Sequence, residues 1–223
     1  MLWRHGRTRW NVDGRFQGQL DSDLEQAGLV DVALAAQVLA QLPPARLLTS
    51  SAGRARGSAA YLEKETGLVA DVHPELQEIY LGGWQGLGRP EVIERFPEEH
   101  AAWVRGEDVR RGGGETYAEV AARSCTVLRA ALESVGAGEV VVAVLHGGTA
   151  RAIIGQFLEL PTETWWRLAP LGNARWTVLL EGDRGFRLAE HNAGVTEPVD
   201  RSRVGAFDVE PDADEGRARS ADI

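Results

Sequence analysis

Between residues 24 and 42, apolar positions recur every three or four residues, the period of a helix that lays one face on a core. Asp23, followed three residues on by Gln26, reads as a capping box at the start of this helix, and Pro43 with Pro44 ends it. The same period predicts helices over 54–66, closed by Gly67, over 116–135 and over 149–159. Helical pieces near 90–96 and 98–106 stand out from an irregular stretch, 80–115, that is rich in Gly, Trp and Arg. Residues 13–23 carry neither period and read as loop. Strands are predicted where apolar and β-branched residues run together, at 46–49, 68–73 and 139–145. The last of these, EVVVAVL, is unbroken, as expected of a central strand buried on both faces. Two further strands, 175–181 and 186–191, are joined by EGDRG, a hairpin signal. Leu2 and Trp3 read as the stub of a first strand, short against the roughly five residues typical of strands, so it is either trimmed or begins upstream.

Strands that alternate with helices predict an α/β fold with a largely parallel sheet, to which the closing hairpin adds an antiparallel element. A chain of 223 residues fits one domain. That domain should cover 1–195. From residue 196 the periodicity stops, and the acidic, polar stretch 196–223 reads as a disordered tail.

Composition narrows the function. With 43% apolar and 26% charged residues the chain is an ordinary globular protein. No apolar run approaches the roughly 18–20 residues of a membrane span, so no membrane association is expected. No basic segment followed by an apolar one suggests a secretory leader. Cys125 is the single cysteine, which excludes an internal disulfide and a cysteine-based metal site and fits a reducing cytoplasm. A net charge of −9 argues against nucleic-acid partners. Lys64 is the only lysine, so arginine carries almost all positive charge, and arginine is the better residue for bidentate contacts to phosphate.

Candidate chemistry gathers where strands end. His5 and His146 each follow an apolar strand directly, and open α/β sheets bind ligands outside the carboxyl ends of their strands. Gly6, Gly147 and Gly148 let backbone approach a ligand closely, and the helix after Gly148 points its N-terminus at the same edge, a natural anion site. Arg4 precedes His5, Arg54 opens the helix that follows another strand, and Glu78 lies before a Gly-rich loop. Two arginines, two histidines and one glutamate at one edge suit phosphoryl transfer. The tryptophans Trp84, Trp103, Trp165, Trp166 and Trp176 read as core and lid packing, and His100, His191 and Arg56 as structural or surface residues. Asp21 and Asp23 would suit a metal only if a strand preceded them; the helix-cap reading is preferred. Arg110 and Arg111 could anchor a substrate carboxylate, but a solvated basic pair is the simpler reading.

RHGRTRWN, followed by GRFQGQLDSDLEQAG, SSAGRARGSA, LQEIYLGGWQG, VLHGGTAR and GNARW, resembles the histidine phosphatase superfamily, also called phosphoglycerate-mutase-like proteins, over about residues 1–195. The resemblance implies a three-layer α/β/α sandwich. It also implies a phosphomonoesterase in which His5 is the phosphorylated nucleophile, Arg4, Arg54 and His146 complete the phosphate pocket, and Glu78 is the proton donor. Asn11, Gln17 and Gly147 would bind substrate at the pocket mouth. The implied substrate is a small phosphorylated metabolite, with no metal or other cofactor required and a homodimer possible. The chain departs from the family pattern at Ser51-Ala52-Gly53 and at Gly57-Ser58. A glycine early in a helix costs about 1 kcal/mol, which predicts a weakly held Arg54.

Overall fold

The computed structural model describes residues 1–195; the expected tail, 196–223, lies outside them. The unbroken apolar run forms β4 (Val140–Leu145), and its buried side chains alternate between two cores. Val141, Ala143 and Leu145 face one, Val142 and Val144 the other. Flanking it are β1 (Leu2–Arg4) and β2 (Pro44–Ser50), both parallel to it. β3 (Asp71–His73) extends the parallel edge, while β5 (Trp176–Gly182) and β6 (Gly185–Ala193) form the expected hairpin, with β5 antiparallel to β1. The order is β3-β2-β4-β1-β5-β6, a mostly parallel sheet.

Helices cover both faces, which gives the three layers. α2 (Gln26–Leu39) and α3 (Gly53–Thr66) bury Val32, Ala36, Ala55 and Leu62 against Trp3 and Val142. On the other face α6 (Tyr117–Glu133) and α7 (Gly147–Phe157) bury Cys125, Leu128, Ile153 and Ile154. Burial also pushes the Cys125 thiol up to about 11. A third cluster lies over α6 and α7: α4 (Arg89–Arg95) and α5 (Pro97–Val104) close around Phe16, Trp84, Trp103 and Trp165. Trp176 belongs to the core under α2, and Trp166 is exposed. Among the described residues no helix is long and apolar enough to cross a membrane.

Several boundaries differ from those the sequence predicts. α2 is shorter at both ends: Glu25, not Asp23, is its N-cap, and it makes no side-chain cap. The Asp23 carbonyl instead accepts from the Arg9 amide at 3.1 Å, at the start of the short helix α1 (Arg9–Val12). Pro44 does not merely end a helix; it opens β2, where it pairs with Val140. Only the last three of residues 68–73 form a strand, an exposed one at the sheet edge. α7 begins two residues early, because His146 itself takes the N-cap position.

α2 approaches the turn after β1 closely. A Cβ on Gly6 would lie 2.8 Å from the Gly28 carbonyl oxygen, and one on Gly28 would lie 2.7 Å from the Arg7 backbone nitrogen. The second obstacle is backbone and cannot rotate away. Gly28→Ala should therefore destabilise the protein by about 1–3 kcal/mol, read as a fall in thermal midpoint of about 2–4 °C per kcal/mol. An unchanged midpoint would show that α2 can retreat freely.

Candidate active site

The parallel register of β1 and β4 sets Arg4 beside Leu145, so the next residue of each strand is a histidine. The His5 amide donates to the Leu145 carbonyl at 3.0 Å, and the rings of His5 and His146 stand 5.1 Å apart, tilted by 60°. Both are fully enclosed. Burial is the first cause holding each ring's pKa well below the usual histidine value; the nearby Arg54 and Arg4 guanidinium groups act in the same direction.

His5 Nδ1 lies 2.7 Å from the Gly6 carbonyl, and Arg54 Nε lies 3.3 Å from His5 Nε2. A guanidinium can only donate. The second contact therefore makes Nε2 the acceptor and Nδ1 the donor, and a single neutral tautomer satisfies both. Its lone pair is on Nε2, directed to the arginine.

Arg54 is not weakly held. Its Nη1 donates to the Leu20 carbonyl at 2.7 Å and to Asp21 Oδ1 at 3.0 Å, and its Nη2 to the Gly18 carbonyl at 2.8 Å. The loop that supplies these acceptors also lies against α3, with Leu24 over Gly57, so the glycine accommodates the clamp rather than loosening it. Asp21 has a second task, for which the sequence reading named Asp23 and the wrong helix. Its carboxylate accepts from the Gly53 amide and, at 3.4 Å, from the Arg54 amide, so the DSD segment caps α3 and not α2. Among the described residues no group of His, Cys, Asp and Glu is arranged to hold a metal ion.

The N-terminus of α7 is occupied from within the chain, by the Glu78 carboxyl group. Its Oε2 accepts from the Gly148 amide at 3.0 Å; its Oε1 accepts from the Thr149 amide at 2.9 Å, the Thr149 hydroxyl at 3.1 Å and its own neighbour's amide, Ile79, at 2.8 Å. A Cβ on Gly148 would lie 2.7 Å from Glu78 Oε1, so this carboxylate needs the glycine. Gly147 serves a different approach: a Cβ there would meet Arg4 Cζ at 3.2 Å. Arg4 is buried beside it and donates from Nη1 to the Leu171 carbonyl at 2.7 Å.

Asn11 and Gln17 meet through Thr8. Asn11 Oδ1 accepts from the Thr8 amide and hydroxyl, both at 2.9 Å, while Gln17 Nε2 donates to the same hydroxyl oxygen at 2.9 Å. Asn173 ties this group to the end of β1, donating to the His5 carbonyl at 3.1 Å and to Asn11 Oδ1 at 3.3 Å. Thr8 and Asn173, like Ser50 (2.8 Å from His146 Nε2) and Ser58 (which accepts from the Gly6 amide at 3.0 Å), lie inside the segments that carry the resemblance, but the sequence reading gave them no role in the site. Arg110 and Arg111 are not a solvated pair. Arg110 is exposed but bound to both carboxylate oxygens of Glu119, and Arg111 is buried between the Trp103 and Tyr117 rings.

Comparison with known proteins shows the family. Residues 1–194 match the histidine phosphatase superfamily (branch 1). Glucosyl-3-phosphoglycerate phosphatase of Mycobacterium tuberculosis is 38% identical over 186 residues, covering 80% of this chain and 83% of that protein. The metal-independent phosphoserine phosphatase of Arabidopsis thaliana is 36% identical over 157 residues, 69% of this chain and 66% of that one. Among solved structures, a mycobacterial glucosyl-3-phosphoglycerate phosphatase complexed with VO3 superposes with a TM-score of 0.82 at 36% identity, covering 86% of this chain and 98% of that chain. The chain belongs to the histidine phosphatase superfamily. It is a phosphoric monoester hydrolase.

The depressed histidines have a measurable consequence. Unfolded histidine titrates near 6.5, whereas folded His5 and His146 titrate well below it. As pH falls below about 6.5, the unfolded chain takes up protons that the folded chain does not, and stability drops. Each ring contributes a slope of up to about 1.4 kcal/mol per pH unit. Denaturant midpoints measured from pH 7.5 down to 5 should show this fall, and His146→Ala should flatten it. An unchanged slope in that variant would place the titration elsewhere.

Proposed function

We propose that this chain hydrolyses phosphomonoesters through a phosphohistidine on His5. One observation carries the reading: the paired contacts to Gly6 and Arg54 leave the buried imidazole neutral, with its lone pair on Nε2. That atom attacks phosphorus in line, forming the Nε2–P bond as the P–O bond to the leaving alkoxide breaks. Arg4 and Arg54 hold the phosphoryl oxygens as charge spreads over them. His146 adds a further contact: Nδ1 makes no hydrogen bond to the described residues. Asn11, Gln17 and Gly147 line the mouth. Gln17 Oε1, also buried, has no partner among the described residues.

Glu78 supplies the proton to the leaving alkoxide. Its two oxygens are unequal: Oε1 accepts from three donors and Oε2 from one. Oε2 is therefore the oxygen with a lone pair to spare for a proton. In the second half-reaction a water molecule gives its proton to this oxygen and attacks phosphorus. The Nε2–P bond breaks, and the neutral histidine and protonated carboxyl return.

Glucosyl-3-phosphoglycerate is the candidate substrate, on the strength of the mycobacterial relatives. A phosphoglycerate mutase would need to hold a second acidic group. The basic residues best placed by sequence to do so, Arg110 and Arg111, are committed to Glu119 and to two aromatic rings. A phosphatase is the better reading.

Phosphate release from glucosyl-3-phosphoglycerate, 3-phosphoglycerate and an aryl phosphate, each with a chelator present, should be fastest from the first and unaffected by the chelator. His5→Ala should abolish turnover and acid-labile phosphate on the protein while leaving the thermal midpoint near that of the parent. Turnover retained in that variant would overturn the nucleophile. Absence of release from all three substrates would point to a protein that binds phosphorylated ligands or partners without turning them over.

A further inference from the structure

Glu78 lies on a segment with no helix or strand of its own; residues 77–81 are irregular. A catalytic carboxyl there would be poorly aimed unless something outside the segment fixed its backbone. The geometry points to Arg123, paired with Glu115, as the residue that positions Glu78 for proton transfer. This rests on the reading of Glu78 as proton donor.

Arg123 projects from the second turn of α6 and is mostly covered, with 20% of its side chain exposed. Every N–H of its guanidinium is used. Nη1 donates to the carbonyls of Glu75 at 2.5 Å and Gln77 at 2.8 Å, and Nη2 donates to that of Glu78 at 3.1 Å. Nε and the remaining Nη2 proton go to the two oxygens of Glu115, both at 2.9 Å. Glu115 returns to the same segment, accepting from the Tyr80 amide at 2.8 Å. The pair thus grips the backbone before, at and after Glu78. From the opposite side Thr149 bonds the Gln77 carbonyl at 2.9 Å, and Gln19 bonds that of Glu78 at 3.2 Å.

This grip needs a planar fork. Five donors in fixed directions meet three carbonyls and a carboxylate, whereas lysine offers three donors around a point charge. The charge alone does not reproduce it. Among the described residues Arg123 shares no hydrogen bond with His5, Arg54 or the His146 ring, and the charge by which it acts weakly on His146 is kept by a lysine, so phosphate binding and nucleophilic attack should survive Arg123→Lys. Only the step that depends on the direction of the Glu78 side chain should suffer.

The test separates leaving groups. An aryl oxide departs without a proton; an alkoxide does not. First-turnover release of the alcohol, which precedes hydrolysis of the phosphohistidine, is measured from an aryl phosphate and from 3-phosphoglycerate for the parent, Arg123→Lys, Glu115→Gln and Glu78→Gln. Arg123→Lys should slow the alkyl ester by about tenfold or more, within the range expected for general acid catalysis, and leave the aryl ester within about threefold. KM for the aryl ester should stay unchanged. Glu115→Gln, which keeps the arginine and weakens the pair, should show the same selectivity to a smaller degree and serves if the lysine variant fails to fold. Equal losses on both esters, or no loss on either, would reduce Arg123 to a structural residue. If Glu78→Gln itself slows both esters equally, the proton-donor reading falls instead, whatever Arg123 does.

Discussion

Three residues of β1 pair in parallel with β4, and the chemistry of the molecule depends on that register. Both strands end level, so the histidine that follows each emerges at the same height, and the rings meet at 5.1 Å. Because side chains alternate along a strand, a slip of one residue would turn His5 away and send Trp3 to the other core. The register is held from both sides. β5 pairs with Leu2 and Trp3, and the turn before β5 accepts from the Arg4 amide at 2.9 Å and donates from the Ala174 amide to the His5 carbonyl at 3.1 Å.

The site that results is positive and dry. Arg4 and Arg54 are both buried, and a guanidinium removed from water costs several kcal/mol unless its donors are matched. For Arg54 the matching is done largely by backbone carbonyls, which accept hydrogen bonds without cancelling charge. Its one carboxylate partner, Asp21, is 45% exposed and therefore screened. Glu78 is turned toward the amides of α7. The arrangement keeps net positive potential for an incoming phosphate dianion and discourages protonation of the histidines. Desolvation and guanidinium charge thus both favour the neutral imidazole.

How much of this was visible in the amino-acid sequence depended on whether a feature is local. The β4 run, the hairpin and the helices show as periodicity because each buries one face against a neighbour. The residues after strands show because the strand itself reads clearly: His5, His146 and Arg54 were legible for that reason. What was not legible is reciprocal. Asp23 looks like a cap for the helix next to it in sequence, yet the aspartate that caps is Asp21, and it caps α3, because the loop folds back on Arg54. The N-terminus of α7 looks like a phosphate site, yet a side chain from a residue far away in sequence, Glu78, fills it. Arg123 has no motif at all; its role exists only in the carbonyls it reaches. Partners separated by a long loop leave no period in the chain.

The place of β1 has one more implication, for how the molecule comes into being. It precedes the other described strands in the chain, yet it lies inside the sheet between β4 and β5, the fourth and fifth of them. Pairings of such long sequence separation are slow to close, and until they close β1 has only solvent for a neighbour. Its Trp3, buried to 0% in the finished protein, must wait for residues 140–145 and 176–177. A translating chain can therefore assemble α2, β2 and α3 early, but it holds no histidine pair until β4 has been synthesised. Activity in a nascent chain would appear in a single late step.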